Sequence, residues 1–135
     1  MESRDVIIDT NVWVSIFNDK DINHLKSKKI IEKYSYYQIM PDLIFYETIT
    51  VLKVKSTLEN ALSFVDFAKD NQDITIKIYY ENNRDLLGLI NDKRFKELSY
   101  TDILLLYLSR KNTIITFDKD LIKNIKLLGG KVVGC

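Results

Sequence analysis

The sequence predicts a single α/β domain with a mostly parallel, twisted β-sheet of four to five strands and about seven flanking helices. Short runs rich in β-branched residues alternate with longer stretches of helical periodicity, which is the order typical of a parallel α/β sheet. The chain has one proline and four glycines, so no linker-like segment divides it. A length of 135 residues suits one domain, which we expect to cover residues 1–135.

Local patterns place the individual elements. The apolar run that begins at Val6 is typical of a short buried strand, and strict alternation over 73–79 predicts a second one. Asp42 is expected to cap the helix that follows it, and the segment 99–111 is apolar nearly all round, which predicts a helix in the core. The predicted strands cover residues 6–9, 38–40, 73–79, 113–116 and 131–133. The predicted helices cover residues 10–17, 22–36, 42–55, 81–91, 99–111 and 119–125. A further helix is predicted to start at residue 57, without a predicted end.

Composition narrows the class of protein. The apolar stretch 103–108 is far too short to span a bilayer, and the N-terminus has neither the cationic leader nor the apolar core of a signal peptide. The single cysteine, Cys135, allows no intramolecular disulfide. We therefore expect a protein of the reducing cytoplasm that does not enter a membrane.

The net charge of +1 excludes the strongly basic field of a dedicated nucleic-acid binder. The lysines instead form local clusters along the chain. These clusters fit solvated helix faces, and they also fit an enzyme that holds a polyanion only while a metal ion is bound.

Four carboxylates stand beside apolar residues where an element starts or turns inward: Asp9, Glu47, Asp102 and Asp118. Asp9 and Asp118 each follow a predicted strand, and right-handed crossovers bring such positions to one edge of the sheet. Glu47 has apolar neighbours one helical turn away, so it is expected to face the core. Buried carboxylates are paired or bind a metal, so the pattern predicts one metal site.

The rest of the sequence favours a hard cation at that site. Mg²⁺ and Mn²⁺ prefer oxygen ligands, and waters and substrate phosphate usually complete their shells. Zinc would require histidine or cysteine, and the chain has only His24, in a polar stretch, and Cys135. With one histidine and no glycine-rich phosphate loop, the pattern indicates carboxylate-and-metal chemistry on a phosphoryl group.

Each acid also has a purely structural interpretation. Asp9 and Asp118 are suitable N-caps for the helices that follow them. Ser99 and Asp102 fit a capping box. The occurrence of all four acids in one fold pattern is what favours a joint role.

The motifs resemble those of PIN-domain ribonucleases, and most of all the small VapC type of toxin. The resemblance rests on Asp9-Thr10-Asn11-Val12 after a strand, Glu47 on the third helix, Ser99-Tyr100-Thr101-Asp102 opening an apolar helix, and Thr116-Phe117-Asp118-Lys119-Asp120 after another strand. It covers essentially the whole chain in order. Phe45 and Tyr46 are bulkier than the residues often found before this glutamate.

The resemblance implies metal-assisted hydrolysis of RNA phosphodiester bonds. Asp9, Glu47, Asp102 and Asp118 would carry Mg²⁺ or Mn²⁺, with Glu47 open to a role as general base. The other implied roles are orientation of the acids by Asn11 and Thr116, an alternative last acid at Asp120, and backbone phosphate contacts from Lys119 and Lys123. The VapC type further implies a homodimer and a cognate protein antitoxin.

Two other functions remain open at this point. A phosphotransferase of the haloacid-dehalogenase class also begins with an Asp at a strand end, but it generally has a second Asp where this chain has Asn11. A PIN-like module that binds RNA or protein without catalysis is the second. Metal-dependent cleavage by the purified protein would separate the enzyme from such a module.

Overall fold

Strands and helices alternate along the chain in the computed structural model, which describes residues 5–34, 37–79 and 84–134. The strands are β1 (Val6–Ile8), β2 (Gln38–Pro41), β3 (Ile74–Lys77), β4 (Thr113–Thr116) and β5 (Lys131–Gly134). The helices in these ranges are α1 (Thr10–Phe17), α2 (His24–Lys33), α3 (Asp42–Lys55), α4 (Leu58–Asp70), α5 (Arg84–Ile90), α6 (Tyr100–Leu108) and α7 (Lys119–Leu127). A 3₁₀ turn at Lys93–Phe95 precedes α6 and was not predicted.

The five described strands form one sheet in which every pairing is parallel. Their order is β3-β2-β1-β4-β5, so β2 and β3 lie on one side of the central strand β1, and β4 and β5 lie on the other. The predicted α/β architecture is confirmed. In sheets of this kind ligands bind beyond the carboxyl ends of the strands where the order reverses, which here is the β1–β4 junction.

Most element boundaries differ from the predictions by a few residues. β1 ends at Ile8, because Asp9 already acts as the N-cap of α1. Asp42 is the first residue of α3 and not its cap, since Pro41 occupies that position and also pairs with β3. The predicted helix 22–36 is shorter as α2, and residues 35–36 and 81–83, included in two predicted helices, lie outside the described ranges.

The buried side chains form one hydrophobic core to which both the sheet and its helices contribute. The ring of Trp13 in α1, which is 1% exposed, packs against Phe64 and Phe67 of α4 with ring centroids 5.7 and 5.9 Å apart. Helix α6 buries a continuous apolar segment, as predicted: Ile103, Leu104, Leu105, Leu106 and Leu108. Full burial of one such side chain stabilises the fold by about 1.5–3 kcal/mol, so α6 is held firmly in place.

None of the helices in the described ranges has the length and apolar character needed to cross a bilayer.

Candidate active site

A cavity of about 440 Å³ opens at the carboxyl edge of the sheet, beside the ends of β1 and β4. All four predicted acids line it. They come from the end of β1, the second turn of α3, the first turn of α6 and the start of α7. The full lining is Asp9, Thr10, Asn11, Val14, Asp21, Glu47, Val51, Lys55, Ser99, Asp102 and Asp118.

Asp9 is the most buried of these acids, with 5% of its surface exposed. The backbone amide of Thr10 donates a hydrogen bond to its Oδ1 at 2.8 Å. The hydroxyl of Thr116, at the end of β4, donates to its Oδ2 at 2.7 Å. Asp9 therefore caps α1 with one oxygen and joins β1 to β4 with the other.

Asn11 completes this connection between the strands. Its Nδ2 donates to Oδ2 of Asp9 at 3.4 Å and to Oγ1 of Thr116 at 3.3 Å. Its Oδ1 accepts a hydrogen bond from the backbone amide of Phe117 at 3.2 Å. Asn11 and Thr116 thus both contact the carboxylate that the sequence analysis expected them to orient.

The electrostatic environment of Asp9 disfavours a negative charge. Burial is the largest influence and, with the nearby charges of Asp102 and Glu47, raises the pKa of Asp9 from 3.8 to about 6. The hydrogen bonds from Thr116 and Thr10 oppose this rise. A cation beside Asp9 would remove the conflict, because it favours the ionised carboxylate.

Asp102 lies in the first turn of α6, and its backbone amide donates to Oγ of the N-cap Ser99 at 3.2 Å. Burial, followed by the charge of Asp118, raises the pKa of Asp102, and hydrogen bonds with Ser99 partly offset the effect. Asp102, Asp118 and Glu47 line the same cavity, so their negative charges disfavour one another.

Asp118 caps α7 through one oxygen. Its Oδ1 accepts hydrogen bonds from the amides of Asp120 at 2.9 Å and Leu121 at 3.1 Å. Its Oδ2 has no hydrogen-bond partner within the described ranges. Asp118 can therefore cap the helix with Oδ1 and still offer Oδ2 to a further ligand.

Asp120, the alternative last acid, is exposed and does not line the cavity. Lys119 and Lys123, the expected phosphate contacts, are likewise exposed residues of α7 outside the cavity wall. Of the two adjacent acids, the geometry favours Asp118.

The expectation that Glu47 faces the core is wrong. The buried face of α3 consists of Ile44, Thr48 and Leu52, which are four residues apart, and Glu47 lies one position away from that stripe. Its side chain is exposed at the rim of the cavity, where Oε2 accepts a hydrogen bond from the Thr101 hydroxyl at 3.4 Å. Adjacent stripes of α3 both carry apolar residues, so hydrophobic spacing did not separate them.

Sequence reasoning missed Asp21 and Lys55 as lining residues. Asp21 lies in the turn between α1 and α2, where its Oδ1 accepts from the amide of Asn23 at 2.8 Å, and no local pattern marks it. Lys55 could have been found, because it lies eight residues after Glu47 and hence on the same side of α3.

The donor chemistry of the cavity fits Mg²⁺ or Mn²⁺, since carboxylate oxygens are the ligands these ions prefer. Within the described ranges, no three Asp, Glu, His or Cys side chains are positioned to hold one ion by themselves. This agrees with the usual mode of Mg²⁺ binding, in which one or two carboxylates act together with waters and substrate phosphates.

The chain belongs to the PIN-domain family, whose family model matches residues 6–127. Among solved structures it is similar to the toxin VapC20 of Mycobacterium tuberculosis, described as cleaving the sarcin–ricin loop, with a TM-score of 0.71 and 17% identity. That match covers 87% of this chain and 93% of the toxin. A domain of a functionally unknown protein from Methanocaldococcus jannaschii matches with a TM-score of 0.55 and 13% identity over 98% of this chain and 91% of that one. No curated protein sequence matches significantly.

Proposed function

We propose that this PIN domain is a Mg²⁺- or Mn²⁺-dependent endoribonuclease and the toxin of a type II toxin–antitoxin pair. The observation that carries the proposal is the cavity in which Asp9, Glu47, Asp102 and Asp118 meet from four separate segments. Burial and nearby negative charge raise the pKa of Asp9 and Asp102, and carboxylates with raised pKa values are concentrated at functional sites. The similarity in fold to a toxin that cleaves the sarcin–ricin loop supports RNA as the substrate, and we propose the cytoplasm as the place of action.

When bound, the metal ion supplies electrophilic activation of the phosphoryl group and makes water a better nucleophile at neutral pH. Asp9, Asp102 and Asp118 would hold the ion together with waters and substrate phosphate oxygens, because no three acidic side chains in the described ranges are placed to do so by themselves. Thr116 and Asn11 would keep the Asp9 carboxylate in a fixed orientation through the hydrogen bonds described above.

Glu47 is suited to accept a proton from the attacking water. It lies at the exposed rim of the cavity, and its one described hydrogen bond occupies Oε2 and leaves Oε1. As the water oxygen bonds to phosphorus and a phosphorus–oxygen ester bond breaks, Glu47 would take the proton that the water loses, and the departing ribose oxygen would take a proton from solvent.

Cleavage of RNA by the purified protein tests the enzyme. We expect cleavage with Mg²⁺ or Mn²⁺ that excess EDTA abolishes, and a fall of at least about 100-fold in Asp9→Asn and Asp102→Asn, since even residues around metal ligands contribute about 10–100-fold. Asp120→Asn is the matched control, because it makes the same change at an exposed acid outside the cavity. Cleavage that continues in EDTA would refute the proposal, and RNA binding without cleavage would favour the non-catalytic module.

The proposed toxin role has separate tests. We expect expression of the wild-type chain to arrest growth, Asp9→Asn to relieve the arrest, and co-expression of a cognate antitoxin to neutralise it. We also propose a homodimer, for which light scattering of the purified protein is the measurement. A protein that cleaves RNA as a monomer and leaves growth unaffected would retain the nuclease assignment and lose the toxin assignment.

A further inference from the structure

Helix α3 contributes three residues to the cavity wall: Glu47, Val51 and Lys55. They are spaced by four, so they form one stripe along the helix. At a rise of 1.5 Å per residue, Lys55 lies about 12 Å beyond Glu47 along the helix axis. The stripe therefore passes from an acid, through an apolar residue, to a cation at the far end of the cavity.

Among the residues that the structure describes, Lys55 has no ion-pair partner to account for its position on this stripe. The salt bridges within the described ranges join Arg94 to Asp92 and Arg110 to Asp85, and neither includes Lys55. The cavity wall nevertheless contains five carboxylates: Asp9, Asp21, Glu47, Asp102 and Asp118. Lys55 is also the one lysine or arginine among the lining residues in the described part of the chain.

The neighbouring Lys53 is a comparison for Lys55, because it carries the same charge in the same helical turn but lies outside the cavity wall. Both residues are exposed in the last turn, where a positive charge interacts favourably with the helix dipole. Lys53 does not line the cavity. The dipole therefore accounts equally for both charges, and only Lys55 has in addition the cavity-facing position.

We infer that Lys55 binds a backbone phosphate of the RNA that flanks the phosphate to be cleaved. The inference rests on the proposed function. Five carboxylates repel a polyanion, so a cation on the cavity wall outside the acid cluster favours entry of the strand beyond what a metal ion at the acids provides. A lysine ammonium is a point charge that suits a phosphate oxygen, and such contacts position a strand without reading its sequence.

The separation along α3 assigns Lys55 to a flanking phosphate. Glu47 stands at the end of the stripe where the four proposed catalytic acids meet, and Lys55 is about 12 Å from it along the axis. A single phosphate group is too small to contact both ends. Val51 between them provides no hydrogen-bonding group, so this part of the wall lets the strand pass without a polar contact. Lys55 is thus a positioning residue that contacts substrate away from the reacting atoms.

The experiment measures the salt dependence of RNA binding for the full chain with Mg²⁺. A fluorescent single-stranded RNA is titrated by anisotropy at several KCl concentrations between about 50 and 200 mM, in an Asp102→Asn background that prevents turnover. We expect Lys55→Ala to lower the slope of log K against log [salt] by about 0.7, the value for one lost contact with a single strand. Lys53→Ala, which removes the same charge from the same turn, is expected to leave the slope unchanged, and Lys55→Arg to retain it.

Kinetics of the otherwise wild-type enzyme give a second measurement. Lys55→Ala is expected to raise KM by up to about five-fold, the effect of one exposed ion pair, and to leave kcat within about two-fold, because the contact is equal in the ground and transition states. An unchanged slope in Lys55→Ala, or an equal loss in Lys53→Ala, would overturn the inference while the wild type still cleaves RNA. A wild type that neither binds nor cleaves RNA would overturn the proposed function, and the inference with it.

Discussion

Replacing Asp9 by Asn should stabilise the protein in the absence of metal. Asn is nearly isosteric with Asp and is an equally good N-cap, so it can retain the bond from the Thr10 amide. With Oδ1 on the Thr10 amide, the new side chain has Nδ2 in place of Oδ2, and an N–H group cannot accept the hydrogen bonds that Thr116 and Asn11 donate to Asp9. The substitution therefore removes the charge of Asp9 at nearly unchanged volume, and the loss of these two bonds makes the gain from the charge an upper limit.

The expected magnitude follows from the pKa of Asp9. The difference between about 6 in the folded protein and the ordinary 3.8 corresponds to about 3 kcal/mol at pH values above both. Because the folded-state pKa is raised, the ionised form opposes folding. Stability of the wild type should thus fall as the pH rises from about 4 through about 6 and level off above that range. We expect Asp9→Asn to gain up to about 3 kcal/mol in free energy of unfolding at pH 7.5 and little at pH 4.

Urea denaturation in EDTA at a series of pH values gives the free energy of unfolding for both proteins. Asp120→Asn is the control, since it removes an exposed carboxylate in the first turn of α7 and should change the free energy of unfolding by less than about 1 kcal/mol. If Asp9→Asn is less stable than the wild type at pH 7.5, or if the difference does not depend on pH, Asp9 is a structural cap and the electrostatic explanation is wrong.

Three further predictions concern the same site and the core. Mg²⁺ or Mn²⁺ at 100 times Kd should stabilise the wild type by about 2.7 kcal/mol and raise its melting temperature, and it should raise the melting temperature of Asp9→Asn less. Equal shifts in both proteins would exclude Asp9 as a ligand. Thr116→Val should reduce RNA cleavage by about 10–100-fold while EDTA-treated protein stays folded, because Asp9 loses its shortest side-chain hydrogen bond; unchanged kcat would show that this bond does not orient the carboxylate. Trp13→Ala should lower the free energy of unfolding by about 3–5 kcal/mol, since the ring is 1% exposed and contacts Phe64. Calorimetry measures this loss, and a clearly smaller value would show that α1 and α4 repack around the cavity.

The strands at the centre of the sheet could be predicted because their burial is uniform. β1 and β4 are buried on both faces and therefore read as short, continuous apolar runs. The edge strand β3 was predicted too long, since alternation continues past Lys77 although pairing with β2 ends there. Alternation records which face a side chain occupies and carries no information on where a neighbouring strand ends.

The acids of the site were predictable for a related reason. Asp9 and Asp118 follow buried strands, and the direction of a parallel sheet is enough to bring such positions to one edge. Lys55 could have been inferred from its spacing after Glu47 on α3, but the contribution of Asp21 depends on where the α1–α2 turn lies relative to the other elements. That arrangement is set by packing between elements and not by any local sequence pattern.

The bond between Thr116 and Asp9 spans 107 residues of sequence, and the bond between Thr116 and Asn11 spans 105. During synthesis Asp9 is added to the chain long before Thr116. The Thr116 hydroxyl can bind Asp9 only after β4 has been made and has paired with β1. Contacts of such long separation form late, since a long loop must close first. An incomplete chain that ends before β4 therefore lacks the bond that orients Asp9, and the two sides of the site meet only when nearly the whole sequence is present.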